Sequence, residues 1–184
     1  MIKVIMMCGI CGSGKTTYAK QKEKEGYVRL SIDEEMWKTY GRKGIDYPNE
    51  QYEKLSEIVE MALQKKLLSL IQQGKNVVLD FSFWNKANRA YYKKLIEKAG
   101  GTSELIYMKA GKETLRKRLY KRNQSLNANS PFIITNEILE HHYNDFQEPC
   151  DEGEKVILQE EDCVESAVDS PKLLSERGNF HDRR

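Results

Sequence analysis

Long apolar runs are absent from this 184-residue sequence, so it offers no stretch that could cross a membrane. The first residues also lack the succession of basic, apolar and small residues that marks a secretory signal. No excess of one charge is present either: 30 basic and 28 acidic residues leave a net charge of +2, which argues against a dedicated nucleic-acid binder. We therefore expect a cytoplasmic protein with one domain and its own hydrophobic core.

Internal repeats and low-complexity linkers are absent as well. We expect a single domain over about residues 1–168, followed by a polar tail at 169–184. Cysteine is scarce, and although Cys8 and Cys11 form a C-x-x-C pair, no second pair and no histidine pair completes a metal site. We interpret both thiols as local structure, and the sequence leaves any redox role open.

What is present is an alternation of strand and helix patterns. Five short apolar runs predict strands, at residues 3–8, 27–31, 76–80, 103–108 and 155–158. Apolar residues at helical spacing predict helices at 50–73, 86–99, 112–123 and 135–146, with Thr135 as an N-cap. This order is typical of an α/β fold whose parallel sheet is covered by helices on both faces.

The first strand runs directly into a glycine-rich segment at residues 9–16. Its sequence, GICGSGKT, fits the phosphate-binding pattern G-x-x-x-x-G-K-[ST]. Glycines allow backbone N–H groups to approach phosphate oxygens, Lys15 supplies a positive charge, and Thr16 offers a hydroxyl to Mg²⁺. The predicted phosphate-binding residues are Gly9, Cys11, Gly12, Ser13, Gly14, Lys15, Thr16 and Thr17.

Two further carboxylates end predicted strands. Asp80 follows Val77-Val78-Leu79, and at the edge of a sheet beside a phosphate loop it would join Thr16 in orienting Mg²⁺. The alternative is that Asp80 caps the following turn. Asp33 follows Arg29-Leu30-Ser31-Ile32 and is placed to accept the proton of an attacking hydroxyl. Its alternative role is the N-cap of a helix over residues 34–40.

Aromatic residues cluster after the same two strands. We interpret Trp37, Phe83 and Trp84, together with Asp33, as an acceptor pocket, and Arg89 as a partner for an acceptor phosphate or carboxylate. The alternative for the aromatic residues is ordinary core.

A basic helix is predicted at residues 112–123. Arg122 shares the apolar face of Leu115 and Leu119, and Arg118 lies next to that face. An arginine in this position, just before an Asn- and Ser-rich loop, needs an anionic partner such as a transferred phosphoryl group. The alternatives are a solvated basic helix or a nucleic-acid patch.

These motifs occur along the chain in the order seen in small P-loop kinases. The chain resembles the zeta-toxin and polynucleotide-kinase-like ATP-binding proteins, which are close to gluconate- and chloramphenicol-phosphorylating enzymes. The resemblance covers about residues 1–158. It implies a P-loop NTPase fold, three-layer α/β/α, with a five-stranded parallel sheet and a helical lid at about 116–134. It also implies phosphoryl transfer from ATP with Mg²⁺, with Asp33 as the base, Arg118 and Arg122 as lid arginines, and residues 146–152 near the adenine.

The chain departs from that resemblance at one position. Polynucleotide kinases of this type have an arginine three residues after the base, where this chain has Met36. We therefore expect a kinase that acts on a hydroxyl of a small molecule. The alternatives are a kinase for nucleic-acid 5′-hydroxyls, which Met36 disfavours, and a nucleotide-binding regulator. Residues 85–88, NKAN, lack the aspartate of the guanine-specific N-K-x-D pattern. The sequence does not determine which acceptor is used, whether the nucleotide is ATP or GTP, or whether the protein is a monomer or a dimer.

Overall fold

A computed structural model describes residues 1–159 of the chain. Its centre is one sheet of five parallel strands in the order β2-β3-β1-β4-β5. The strands are β1 (Ile2–Cys8), β2 (Val28–Ser31), β3 (Val77–Asp80), β4 (Gly101–Ala110) and β5 (Glu154–Gln159). The predicted α/β fold with a five-stranded parallel sheet is therefore confirmed. The predicted domain end at 168, the tail at 169–184 and Cys163 lie outside the described residues.

Within residues 1–159, six helices connect and cover the strands. They are α1 (Lys15–Lys24), α2 (Ile32–Tyr40), α3 (Tyr52–Gln72), α4 (Lys86–Lys98), α5 (Lys112–Asn123) and α6 (Asn136–Asp145), and a short 3₁₀ turn, Asn49–Gln51, precedes α3. Thr135 caps α6 as predicted, since its side chain accepts a hydrogen bond from the backbone N–H of Ile138. Within residues 1–159, none of the helices combines the length and the apolar character needed to span a bilayer.

The inner strands are buried on both faces, as parallel strands between helix layers must be. Alternate residues of β1 point to opposite sides of the sheet. Val4 and Met6 pack in a cluster with Leu67 of α3, while Ile5 and Met7 pack with Ala19 of α1. The sheet is thus the middle layer of three.

Parallel pairing brings the carboxyl ends of the strands to one edge of the sheet. Ser31 of β2 pairs with Asp80 of β3, and Cys8 of β1 pairs with Tyr107 of β4. The chain therefore leaves β1, β2 and β3 at the same edge, which is where ligands bind in open α/β sheets.

Candidate active site

The loop between β1 and α1 has the backbone conformation that its glycines allow. Gly9, Gly12 and Gly14 have φ angles of 141°, 83° and 97°. A Cβ atom at Gly9 would lie 2.6 Å from the carbonyl oxygen of Met108. Backbone conformation therefore disfavours side chains at these positions, and at Gly9 the lack of space does so as well.

Lys15 begins α1 and turns back over this loop. Its Nζ donates hydrogen bonds to the carbonyl oxygens of Gly9, at 2.8 Å, and Ile10, at 2.9 Å. Burial lowers the pKa of Lys15, and the negative charge of Asp80 opposes that shift. Because the loop carbonyls are neutral, an anionic ligand would stabilise this ammonium group better than they do.

The side chains of Thr16 and Asp80 are in contact next to the phosphate loop. The Thr16 hydroxyl donates to Asp80 Oδ1 at 3.3 Å, which places two hard oxygen ligands side by side. Such donors fit Mg²⁺, which binds proteins through one or two oxygen side chains together with substrate phosphates. Asp80 is nearly buried, and its other oxygen accepts from Arg29 Nη2 at 2.6 Å.

Arg29 is a buried arginine that sequence reasoning did not identify as part of the site. Its side chain is 3% exposed and also pairs with Glu34 at 2.8 Å and donates to Asn129 Oδ1 at 2.7 Å. It therefore ties β2 and β3 to the loop after α5. The sequence did contain one signal for this role. Arg29 is a charged residue within a short predicted strand, and a guanidinium that is buried there needs carboxylate partners.

Asp33 stands in the first turn of α2. The helix begins at Ile32 and its N-cap is Ser31, whose Oγ accepts from the backbone N–H of Glu34. The alternative role of Asp33 as N-cap is therefore wrong. Burial and the nearby charge of Asp80 raise the pKa of Asp33 to about 6, although Arg122 and Lys15 act in the opposite direction.

Helix α5 presents two arginines on the same side of the molecule as the phosphate loop. Its apolar face is anchored by buried Leu115 and Leu119. Arg118 donates to Gln159 Oε1 at 3.2 Å, whereas the buried Nε of Arg122 has no hydrogen-bond partner in the described part of the chain. Arg116 instead pairs with Glu113 and Glu140 at the surface.

These elements surround one cavity of about 1140 Å³. The predicted site residues that line it are Gly9, Cys11, Gly12, Gly14, Lys15, Thr16, Thr17, Asp33, Asp80, Trp84, Arg118 and Arg122. Pockets for one small ligand usually measure about 300–1,000 Å³. The cavity therefore has room for a nucleotide and a second small molecule.

Four predicted residues lie elsewhere. Ser13 is buried beneath the loop, and Trp37 is partly buried on α2 outside the cavity wall. Phe83 is 2% exposed and stacks on Phe81 at 5.7 Å, so it belongs to the core. This corrects its interpretation as a pocket residue.

Arg89 is the clearest correction. Its side chain is fully buried and forms an ion pair with Glu152 at 2.7 Å, while Nη1 donates to the carbonyl oxygen of Phe83 at 3.0 Å. A buried guanidinium needs such compensation: Nε, Nη1 and Nη2 of Arg89 all donate to groups of the protein, and the side chain does not line the cavity. The same pair holds residues 146–152 against α4, so Glu152 does not reach toward a nucleotide.

Other cavity-lining residues were not predicted. Lys43, Asn49, Tyr52, Phe132 and His142 all line it. His142 Nδ1 lies 3.4 Å from Cys11 Sγ; burial raises the pKa of that thiol and lowers the pKa of the imidazole. A neutral pair of this kind agrees with a structural role for Cys11.

Residues 4–149 match the family model described as an AAA domain. The chain belongs to the AAA domain family. A UPF0200 protein of Pyrobaculum aerophilum is 30% identical over 125 residues, covering 68% of this chain and 69% of its own. The resemblance to small P-loop kinases is thereby confirmed at the level of the P-loop domain and its fold.

Solved structures agree with this assignment. A gluconokinase from Sinorhizobium meliloti has a TM-score of 0.58 at 20% identity, with 85% of this AAA-domain chain and 82% of the other covered. Kti12 from Chaetomium thermophilum, in complex with ADP-AlF3, has a TM-score of 0.55 at 16% identity, covering 88% and 91%. A chain of a Pnkp1/Rnl/Hen1 RNA repair complex has a TM-score of 0.64 at 18% identity, covering 78% and 43%. At these identities the likeness shows the fold alone.

Proposed function

We propose that this protein is an ATP-dependent kinase that transfers the γ-phosphoryl group of ATP to a hydroxyl of a small molecule. One observation carries the proposal: a single cavity is lined by the phosphate loop, by Asp33 with its raised pKa, and by Arg118 and Arg122 of α5. The likeness to a gluconokinase supports a phosphotransferase.

The residues divide the chemistry among them. The acceptor oxygen forms a bond to the γ-phosphorus while the bond from that phosphorus to the bridging oxygen of ADP breaks. Asp33 accepts the proton of the attacking hydroxyl. Lys15, Arg118 and Arg122 stabilise charge on the transferred group. Thr16 and Asp80 would hold Mg²⁺, which neutralises phosphate charge when bound.

Transfer to a nucleic-acid 5′-hydroxyl is the second candidate. The likeness to the RNA repair protein favours it. Met36 opposes it, because this side chain is 2% exposed within the core and offers no charge to a nucleic-acid phosphate. The third candidate is a nucleotide-binding regulator without an acceptor. Such a protein needs no proton acceptor at Asp33, so it does not account for the raised pKa of that residue.

A transfer screen separates these readings. Labelled ATP and Mg²⁺ would be offered with sugars, nucleosides, antibiotics and oligonucleotides. We expect label on a small hydroxyl compound. Label only on oligonucleotides would establish the second candidate, and ATP binding without transfer to any class would favour the regulator.

The substitution Arg122→Ala is expected to lower kcat by about 10- to 100-fold while the KM for ATP changes only a few-fold. Loss of a charge-assisted hydrogen bond made mainly in the transition state has this signature. Lys121→Ala, an exposed position on the same helix, is the matched control. An equal rise in KM, or unchanged kcat, would return Arg122 to a structural role.

A pH profile tests Asp33 independently. Because the pKa of Asp33 is raised to about 6, its basic form is lost as pH falls below that value. We expect kcat/KM, which reports the free enzyme, to fall about tenfold per pH unit at acid pH and to level off above neutrality. A profile that stays flat to about pH 5 would exclude a base with this pKa.

A further inference from the structure

One cation on the cavity wall is not used by the proposed donor chemistry. The Nζ of Lys43 lies 4.2 Å from the ring centroid of Tyr52 and 4.9 Å from that of Phe132. The two rings meet edge to face, with centroids 5.6 Å apart. Lys43 therefore sits where the segment before α3 meets the loop after α5.

The position of Lys43 is on the acceptor side of the cavity. Lys43 and Asn49 belong to the segment between α2, which carries Asp33, and α3, which begins with Tyr52. Tyr52 and Asp33 line the same cavity, and the negative charge of Asp33 adds to burial in raising the pKa of Tyr52. The donor-side cations Lys15, Arg118 and Arg122 come from α1 and α5 instead.

The ammonium group of Lys43 keeps its hydrogen-bonding capacity. Among residues 1–159, no carboxylate lies within ion-pair distance of its Nζ and no acceptor takes its protons. Aromatic faces attract the charge but accept none of its three N–H donors in an ordinary hydrogen bond. The rings thus hold the charge at the cavity wall while its donors stay available to a ligand.

We propose that Lys43 binds an anionic group of the acceptor, a carboxylate or a phosphate, so that the substrates are small hydroxyl compounds with such a group. This inference rests on the proposed kinase function. Asn49, on the same wall, can donate its amide N–H to the same anion. Lys43 acts on acceptor binding and not on the transferred phosphoryl, because the donor site has its own cations.

Pairs of acceptors that are similar in size but differ in charge test the proposal. Labelled ATP would be offered with glycerate or glycerol 3-phosphate against glycerol, and with gluconate against sorbitol. We expect transfer to an anionic member and at least about tenfold poorer kcat/KM for its neutral partner. The carboxylate and phosphate arms then identify the anion.

Variants of Lys43 separate charge from packing. Lys43→Met keeps an apolar chain between the two rings, and we expect it to raise the KM for the anionic acceptor about 10- to 100-fold with kcat nearly unchanged. Lys43→Arg should restore part of the affinity. Lys38→Met, exposed on α2, should behave as wild type, and the thermal midpoint and the ATP affinity of each variant check that it is folded.

Three outcomes would overturn the inference. Wild-type protein would use neutral and anionic members equally, or Lys43→Met would impair both equally, or no anionic member would be phosphorylated by a protein that transfers label to other small hydroxyl compounds. Absence of ATP binding altogether would instead overturn the proposed function itself.

Discussion

Replacing Asp33 with asparagine should slow phosphoryl transfer by about 10²–10⁴-fold, the usual contribution of a positioned general base. Asparagine keeps the size of the side chain but cannot accept the proton of an attacking hydroxyl. The fold should not suffer, because Ser31 and not Asp33 caps α2. Removal of a charge near Asp80 should even offset the small loss of a favourable helix-dipole interaction.

The measurement pairs single-turnover transfer with the thermal midpoint and the ATP affinity of the same variant. Glu35→Gln provides the matched control, since it removes a carboxylate from the same first turn of α2. The acid limb of the pH profile should disappear in Asp33→Asn and persist in Glu35→Gln. Transfer at the wild-type rate would refute a catalytic role for Asp33.

Replacing Lys15 with alanine should lower the transfer rate by about 10²–10³-fold, the typical cost of removing one preorganised electrostatic contact to the transition state. Unlike Arg122, Lys15 is also placed to bind ATP before reaction. We therefore expect the affinity for ATP to fall as well as kcat.

The ligand-free fold should tolerate this change. Lys15 is a desolvated charge whose hydrogen-bond partners, within the part of the chain that the structure describes, are the carbonyl oxygens of Gly9 and Ile10. Its loss removes a burial cost as well as two hydrogen bonds. Circular dichroism and the thermal midpoint check the fold, and Lys20→Ala, exposed on the same helix, checks the effect of charge alone. Turnover near that of wild type would contradict the phosphate-loop assignment.

The sheet and the phosphate loop were predictable because their signals are local. Each strand is an apolar run that ends at a turn, and the loop is specified by eight consecutive residues. The differences are small and have simple causes. Strand β4 begins at Gly101, two residues earlier than predicted, because Gly101 pairs with Ile2 of β1.

The acceptor side could not be predicted in the same way because its contacts join distant parts of the chain. Arg29 meets Asn129 across 100 positions, and Arg89 meets Glu152 across 63. A lone arginine in a sequence does not reveal whether its partner is a ligand or a carboxylate of the protein. Arg89 was therefore assigned to an acceptor, whereas Arg29 was passed over.

Strand β2 is the outermost strand on one side of the sheet. The chain that follows it supplies Asp33, Lys43, Asn49 and Tyr52 in succession. The loop that would hold ATP follows β1, near the middle of the sheet. The two halves of the proposed reaction are thus encoded by separate stretches of sequence. Residues 41–51 take no part in the pairing of β1 with β3 and β4, although Tyr47 packs in the core. In evolutionary terms, a chain of this design can acquire a new acceptor by changing one connecting segment while it inherits its phosphoryl-donor machinery intact.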